Sequence, residues 1–189
     1  MTRLFCIGIV VAAVLFAMPA FASVPFPGNC TIEWYQPVKG DTLILVCPQG
    51  DGTKLDVTVL DQFSLPIALQ TVTVTFADTR VCEDPISGIT DANGYVRLTI
   101  QAGANASAGM QPRVSSDYSV VCMGMTLKTA TVSIMSPDYN CASVVDGLDY
   151  SFFSLDWLKN GGSIRSDFND DKTVDGLDYS IFALHWLHQ

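Results

Sequence analysis

The last third of this chain is written twice. Residues 138–159 and 167–188 align at a period of 29 with 13 of 22 positions identical. The run Val-Asp-Gly-Leu-Asp-Tyr-Ser stands at Val145–Ser151 and again at Val174–Ser180. Chance does not give that agreement. An internal duplication means two copies of one small unit, each too small to bury its own apolar face, so the copies are expected to pack together. Only Ser136-Pro137 separates this paired unit from the preceding part, which predicts restricted motion between them.

Each copy opens on oxygen-bearing side chains at alternating positions. In the second copy, positions 1, 3, 5, 7, 9 and 12 of a twelve-residue loop are Asp167, Asn169, Asp171, Thr173 (through its carbonyl), Asp175 and Asp178. In the first they are Asp138, Asn140, Ala142, Val144 (through its carbonyl), Asp146 and Asp149. A calcium ion takes about six to eight oxygens, and this spacing lets one loop supply them. Five acids lie between Asp167 and Asp178, and without a cation their repulsion opposes a compact loop. Two calcium ions are expected, the first held more weakly because Ala142 offers no side-chain oxygen. The bland alternative is turn chemistry, since Asp and Asn also dominate ordinary turns. The duplication and the helices that follow favour the metal.

Asp146 and Asp175 are placed to cap those helices, with Asp149 and Asp178 three residues on. Leu148, Phe152, Leu155 and Leu158 recur at helical spacing, as do Leu177, Ile181, Leu184 and Leu187. A second stripe is aromatic: Tyr150, Phe153 and Trp157, then Tyr179, Phe182 and Trp186. It either fills the interface between the helices or against the sandwich, or faces a partner, and so small a unit can hardly bury both stripes. Val145 and Val174, at position 8, are placed to pack between the loops. His185 and His188 lie near the end of the last helix, where a surface or helix-end role is expected.

Loop spacing, exiting helix and duplication together resemble a dockerin type I module, the paired calcium element by which secreted bacterial proteins dock onto cohesin domains. The resemblance covers residues 137–189 and implies a small all-α, EF-hand-like fold. It further implies a partner surface formed by Leu148, Ser154, Leu155 and Lys159 with Leu177, Ala183, Leu184 and His188. Two departures stand out. Position 6, usually glycine, is Ser143 and Lys172, and positions 10 and 11, usually a Ser/Thr pair, are Gly147-Leu148 and Gly176-Leu177.

Upstream the text is β throughout. Leu55–Val59, Thr71–Phe76 and Tyr95–Ile100 alternate with period two, and Asp91-Ala-Asn-Gly94 reads as a tight turn. Thr42–Cys47, Asp117–Cys122 and Leu127–Ile134 supply further strands, while Gln101–Val114 reads as a Gly/Ala/Ser-rich mobile loop. Six or seven short strands without helical period predict a β-sandwich over residues 23–136. The stretches Val57–Ile67, Thr71–Phe76 and Gly88–Leu98 resemble bacterial immunoglobulin-like repeats. The expected fold class is therefore an all-β immunoglobulin-like sandwich followed by the all-α module.

Residues 1–22 have the anatomy of a secretory signal peptide: Arg3, an apolar run from Leu4 to Met18, and the small-residue end Ala20-Phe21-Ala22. Export permits disulfides among the five remaining cysteines. Pairing Cys30 with Cys47 and Cys82 with Cys122 would tie neighbouring strands and leave Cys141 over, although other arrangements stay open. With 19 acidic against 10 basic residues, a nucleic-acid partner is disfavoured. No membrane association is expected after cleavage. No nucleophile, zinc or phosphate-loop motif supports catalysis. The expected role is that of a secreted, extracellular, non-catalytic protein that docks onto a cohesin-type receptor. The alternatives are a calcium-stabilised subunit of a fibre or surface layer formed by self-association, and a small carbohydrate-binding module built on Trp34-Tyr35.

Overall fold

The computed structural model describes residues 23–82, 85–104, 113–161 and 164–187. The expected leader therefore lies outside the described residues, as does most of the Gly/Ala/Ser-rich stretch. Ten strands come first: β1 Thr31–Tyr35, β2 Leu43–Leu45, β3 Lys54–Thr58, β4 Thr71–Phe76, β5 Val81–Cys82, β6 Ile86–Ile89, β7 Tyr95–Thr99, β8 Gly103–Ala104, β9 Val114–Cys122 and β10 Met125–Met135. Two helices follow, α1 Gly147–Asp156 and α2 Gly176–Leu184.

The strands form a two-sheet β-sandwich. One sheet has the order β1-β3-β7 and the other β2-β10-β9-β4-β6, with β5 and β8 paired apart. Neighbours are antiparallel except β2, which runs parallel to β10. Alternation in the sequence becomes alternation in burial. Leu55 and Val57 of β3, and Val72 and Val74 of β4, are fully enclosed between the sheets. Trp34 of β1 meets Tyr118 of β9 edge-on at 5.1 Å between ring centroids, bridging the layers. The Asp91 turn forms because its Oδ1 accepts from the backbone N–H of Asn93 and of Tyr95. Gly94 completes it at φ +73, where a Cβ would come within 2.4 Å of the Val59 carbonyl.

The all-α, EF-hand-like fold expected of residues 137–189 is overturned. The described chain is mostly β-sheet, and the described residues of this region hold two short helices, of ten and nine residues, each following its loop. Its buried cluster of Tyr139, Val145, Phe153, Phe168, Val174 and Phe182 is distinct from the core between the sheets and is completed by Leu43 of β2 and Met135 of β10. Helices this short bury little by themselves, so the tail lies against the end of the sandwich and draws on those two residues.

The cysteine pairing also differs from expectation. Cys82 bonds to Cys141, tying β5 to the first loop across 59 residues of sequence. Cys30, Cys47 and Cys122 are thiols. Cys30 lies just before β1 with its Sγ against the carbonyls of Phe26 and Leu60, and Cys47 faces the end of α2 instead. The sugar-stacking platform is lost too, because Trp34 is core and Arg97 lies 3.7 Å over the Tyr35 ring.

Candidate metal centre

The two loops are built the same way, from side chain to backbone. Asp138 accepts from the N–H groups of Ala142 and Ser143, and Asn140 accepts from Ala142. The second loop repeats this: Asp167 accepts from Asp171 and Lys172, and Asn169 from Asp171. These short-range bonds curl each loop around its own first carboxylate. The curl requires left-handed backbone at positions 4 and 6, which Cys141, Ser143, Asp170 and Lys172 adopt at φ 58 to 77. None of the four is glycine, so each is strained. Lys172→Gly, at φ 77 on an exposed site, is expected to stabilise the protein by about 1 kcal/mol. A rise in denaturant midpoint at unchanged slope, measured with calcium present, checks it.

The last loop residue closes each ring and starts each helix. Asp149 accepts from the N–H groups of Tyr139 and Asp146, while Asp146 accepts from Leu148, forming a reciprocal capping box. Asp178 accepts from Phe168, Asn169 and Asp175, and Asp175 from Leu177, in the same manner. Thus the carboxylate at position 12 spans the loop from end to end.

Four of these acids, Asp138, Asp149, Asp167 and Asp178, are fully buried. Burial raises the pKa of each above the ordinary carboxylate value, against the opposing pull of the backbone N–H groups. The effect is large at Asp149, pushed up to about 6 by burial with the charges of Asp138 and Asp146 adding to it. At Asp178 the neighbouring Asp171 adds to burial. At Asp167 the Arg113 guanidinium, 3.1 Å away, also opposes burial. In the second loop Asp167, Asp171 and Asp178 each bring an oxygen within 4.8 Å of the others. The donor set is all oxygen and acidic, which fits a hard divalent cation such as calcium. Among the described residues the first loop forms no such three-acid group, because Ala142 stands where Asp171 does.

The copies are related by an approximate twofold exchange. The Leu158 N–H, just past α1, bonds the Val174 carbonyl of the second loop, and the Leu187 N–H, just past α2, bonds the Val145 carbonyl of the first. Phe153 and Phe182 stack at 5.1 Å on the axis between helices. Tyr150 against Phe182 is matched by Tyr179 against Phe153, and Trp157 and Trp186 each pack on the phenylalanine of their own helix. The aromatic stripe therefore fills the space between the helices, with its tyrosines and tryptophans half open to solvent. The leucine stripe turns outward.

That outward face contains most of the expected partner residues. Leu148, Leu155, Leu177 and Leu184 are 61 to 69% exposed, and Ser154 and Ala183 are exposed beside them. Lys159 is half-buried, its Nζ 2.7 Å from Asp156. His188 lies outside the described residues.

Three contacts at this centre have no signal in the sequence. Arg113, just before β9, donates to the Ile164 and Asp167 carbonyls and to the carboxylates of Asp167 and Asp170. Lys39 reaches Asp170 at 2.8 Å. His185, expected at the surface or a helix end, caps the end of α2 and is buried against Cys47 and Asp51. Position 4 of each loop thus faces the sandwich, through the disulfide in one copy and through ion pairs in the other.

No protein-family model matches the chain, and no curated protein matches it. Among solved structures, the crystal structure of invasin, titled a bacterial integrin-binding protein, aligns at 20% identity and a TM-score of 0.37. The alignment covers 57% of this chain and 19% of that one. At that score the likeness carries no weight for fold or for binding.

Proposed function

We propose that this is a secreted, non-catalytic protein whose tail binds two calcium ions and docks, by its outward helix faces, onto a cohesin-type receptor domain. The observation that carries this reading is the convergence of the buried Asp167 and Asp178 with the exposed Asp171 at one point of the second loop. Calcium, when bound, adds positive charge at these carboxylates, of which Asp167 already meets Arg113, and at the buried Asp138 and Asp149. The resemblance to dockerin type I modules supports a cohesin-type partner, and the short helices bear on fold rather than on that surface. The exposed leucines of α1 and α2 are related by the exchange of copies, so a partner can engage the face in two orientations. The Cys82–Cys141 disulfide supports an oxidising, extracellular compartment. Capture by a panel of cohesin domains is expected in calcium and not in EDTA. Absence of calcium-dependent capture by every member would sink the docking claim.

A second reading has its own support. The same leucines could seat a second copy, making calcium the rivet of an extracellular fibre or layer. Sedimentation of the mature protein separates the two: a monomer at all concentrations, with and without calcium, excludes self-assembly.

A further inference from the structure

Cys47, Asp51 and His185 meet where the end of α2 reaches the sandwich. The Cys47 Sγ lies 3.6 Å from His185 Nε2, and His185 Nδ1 lies 3.1 Å from Asp51 Oδ2. One ligand atom from each falls within 4.8 Å of the other two. We propose that this cluster is a third metal site, taking a borderline-to-soft divalent cation of the zinc class and joining the second helix to the sandwich.

The spacing suits such an ion. Tetrahedral zinc, with bonds of about 2.3 Å to sulfur and 2.0–2.1 Å to nitrogen, sets those ligands about 3.5 Å apart. Cys47 and Asp51 come from one tight turn. The Cys47 carbonyl accepts from Gly50 and Ala102, fixing the thiol in place. Asp51 is the exposed member, so its side chain can turn from Nδ1 to complete the set, and water reaches the remaining position.

Calcium has no claim here, because thiolate is a soft ligand. Binding releases the thiol proton, giving one Cys47 sulfur–metal bond and one proton per ion. The thiolate and the Asp51 carboxylate then balance the two charges of the cation.

The same three residues in the same order of contact suggest a nucleophilic triad, and the structure opposes it. The Cys47 side chain is fully buried, so no substrate carbonyl can approach. Burial, with Asp51 adding to it, holds the thiol well above its ordinary pKa, the reverse of an activated nucleophile.

The test uses the mature chain with excess calcium filling the acidic loops and Co2+ as probe. We expect a near-ultraviolet thiolate-to-cobalt band that saturates at one equivalent and is bleached by Zn2+. Cys47→Ser should abolish it, whereas the Cys30→Ser/Cys122→Ser double variant should keep it. His185→Gln should weaken Co2+ binding by about a hundredfold or more, and Asp51→Asn by about tenfold. These two variants decide the matter if Cys47→Ser fails to fold. No thiolate band in the parent protein, a band that survives Cys47→Ser, or unchanged affinity in His185→Gln would overturn the site.

Discussion

Asp178→Ala is expected to weaken calcium binding at the second loop by about a hundredfold or more, whereas Asp170→Ala changes it by less than about threefold. The contrast comes from geometry rather than charge, since each variant removes one carboxylate. Asp178 brings its oxygens to the point shared with Asp167 and Asp171, and it also accepts three backbone N–H groups that close the loop. Asp170 points the other way, into Arg113 and Lys39, which hold its carboxyl below the ordinary pKa through hydrogen bonds. Its loss should instead loosen the loop from the sandwich, lowering thermal stability modestly. Calorimetric titration of the mature protein reads both effects, and equal losses of affinity would contradict the loop register.

A reciprocal pair keeps this result interpretable if Asp178→Ala disturbs folding. Asp171→Ala gives the second loop the side-chain donors of the first, and Ala142→Asp gives the first loop those of the second. Both positions are exposed. If position 5 alone separates the two sites, the first change weakens one site and the second tightens the other by similar factors, and the double variant restores a weak-and-strong pair with the loops exchanged.

How far the sequence reveals this molecule depends on the range of each interaction. The capping boxes at Asp146 and Asp175 and the curl of the loops are set by bonds spanning two to ten residues, so the repeated pattern displays them. The alternation of β3, β4 and β9 is likewise local, and the sandwich follows from it. Contacts between the tail and the sandwich are of another kind. Arg113 reaches Asp167 across 54 residues and Cys47 reaches His185 across 138, and no periodicity links either pair. The same limit explains one failed expectation. Pairing Cys82 with Cys122 joins two nearby strands, but Cys122 lies in the sandwich core while the first loop brings Cys141 to β5.

Asp156→Ala is expected to cost about 3–5 kcal/mol, the usual penalty for stranding one member of a buried ion pair. Asp156 ends α1 at 2% exposure and accepts from Arg165 Nε, Ser166 Oγ and Lys159 Nζ, each at 2.7 Å. Burial alone would raise its pKa, but Arg165, Lys159 and Ser166 outweigh that and leave it lowered. Arg165 is itself buried, with its guanidinium 5.4 Å from the ring centres of Tyr139 and Phe152, so the variant leaves a cation in an aromatic slot without its carboxylate. A lowered folded-state pKa means the stabilisation is present above the ordinary carboxylate pKa and is lost as pH falls through the folded value. The gap between parent and variant should therefore be full at neutral pH and close in acid. Asp156→Leu with Arg165→Met should recover most of the loss, because paired apolar groups replace a buried ion pair at little cost. If the double variant were as unstable as Asp156→Ala, the penalty would come from lost packing and not from stranded charge. The position matters to the whole tail, since Asp156 corresponds in the repeat to His185. One copy uses its last helical turn to hold Ser166, next to Asp167 of the second acidic loop, and the other uses it to grip the sandwich. Asp156→Ala should accordingly weaken calcium at the second loop while sparing the first, a difference that two-site titration resolves.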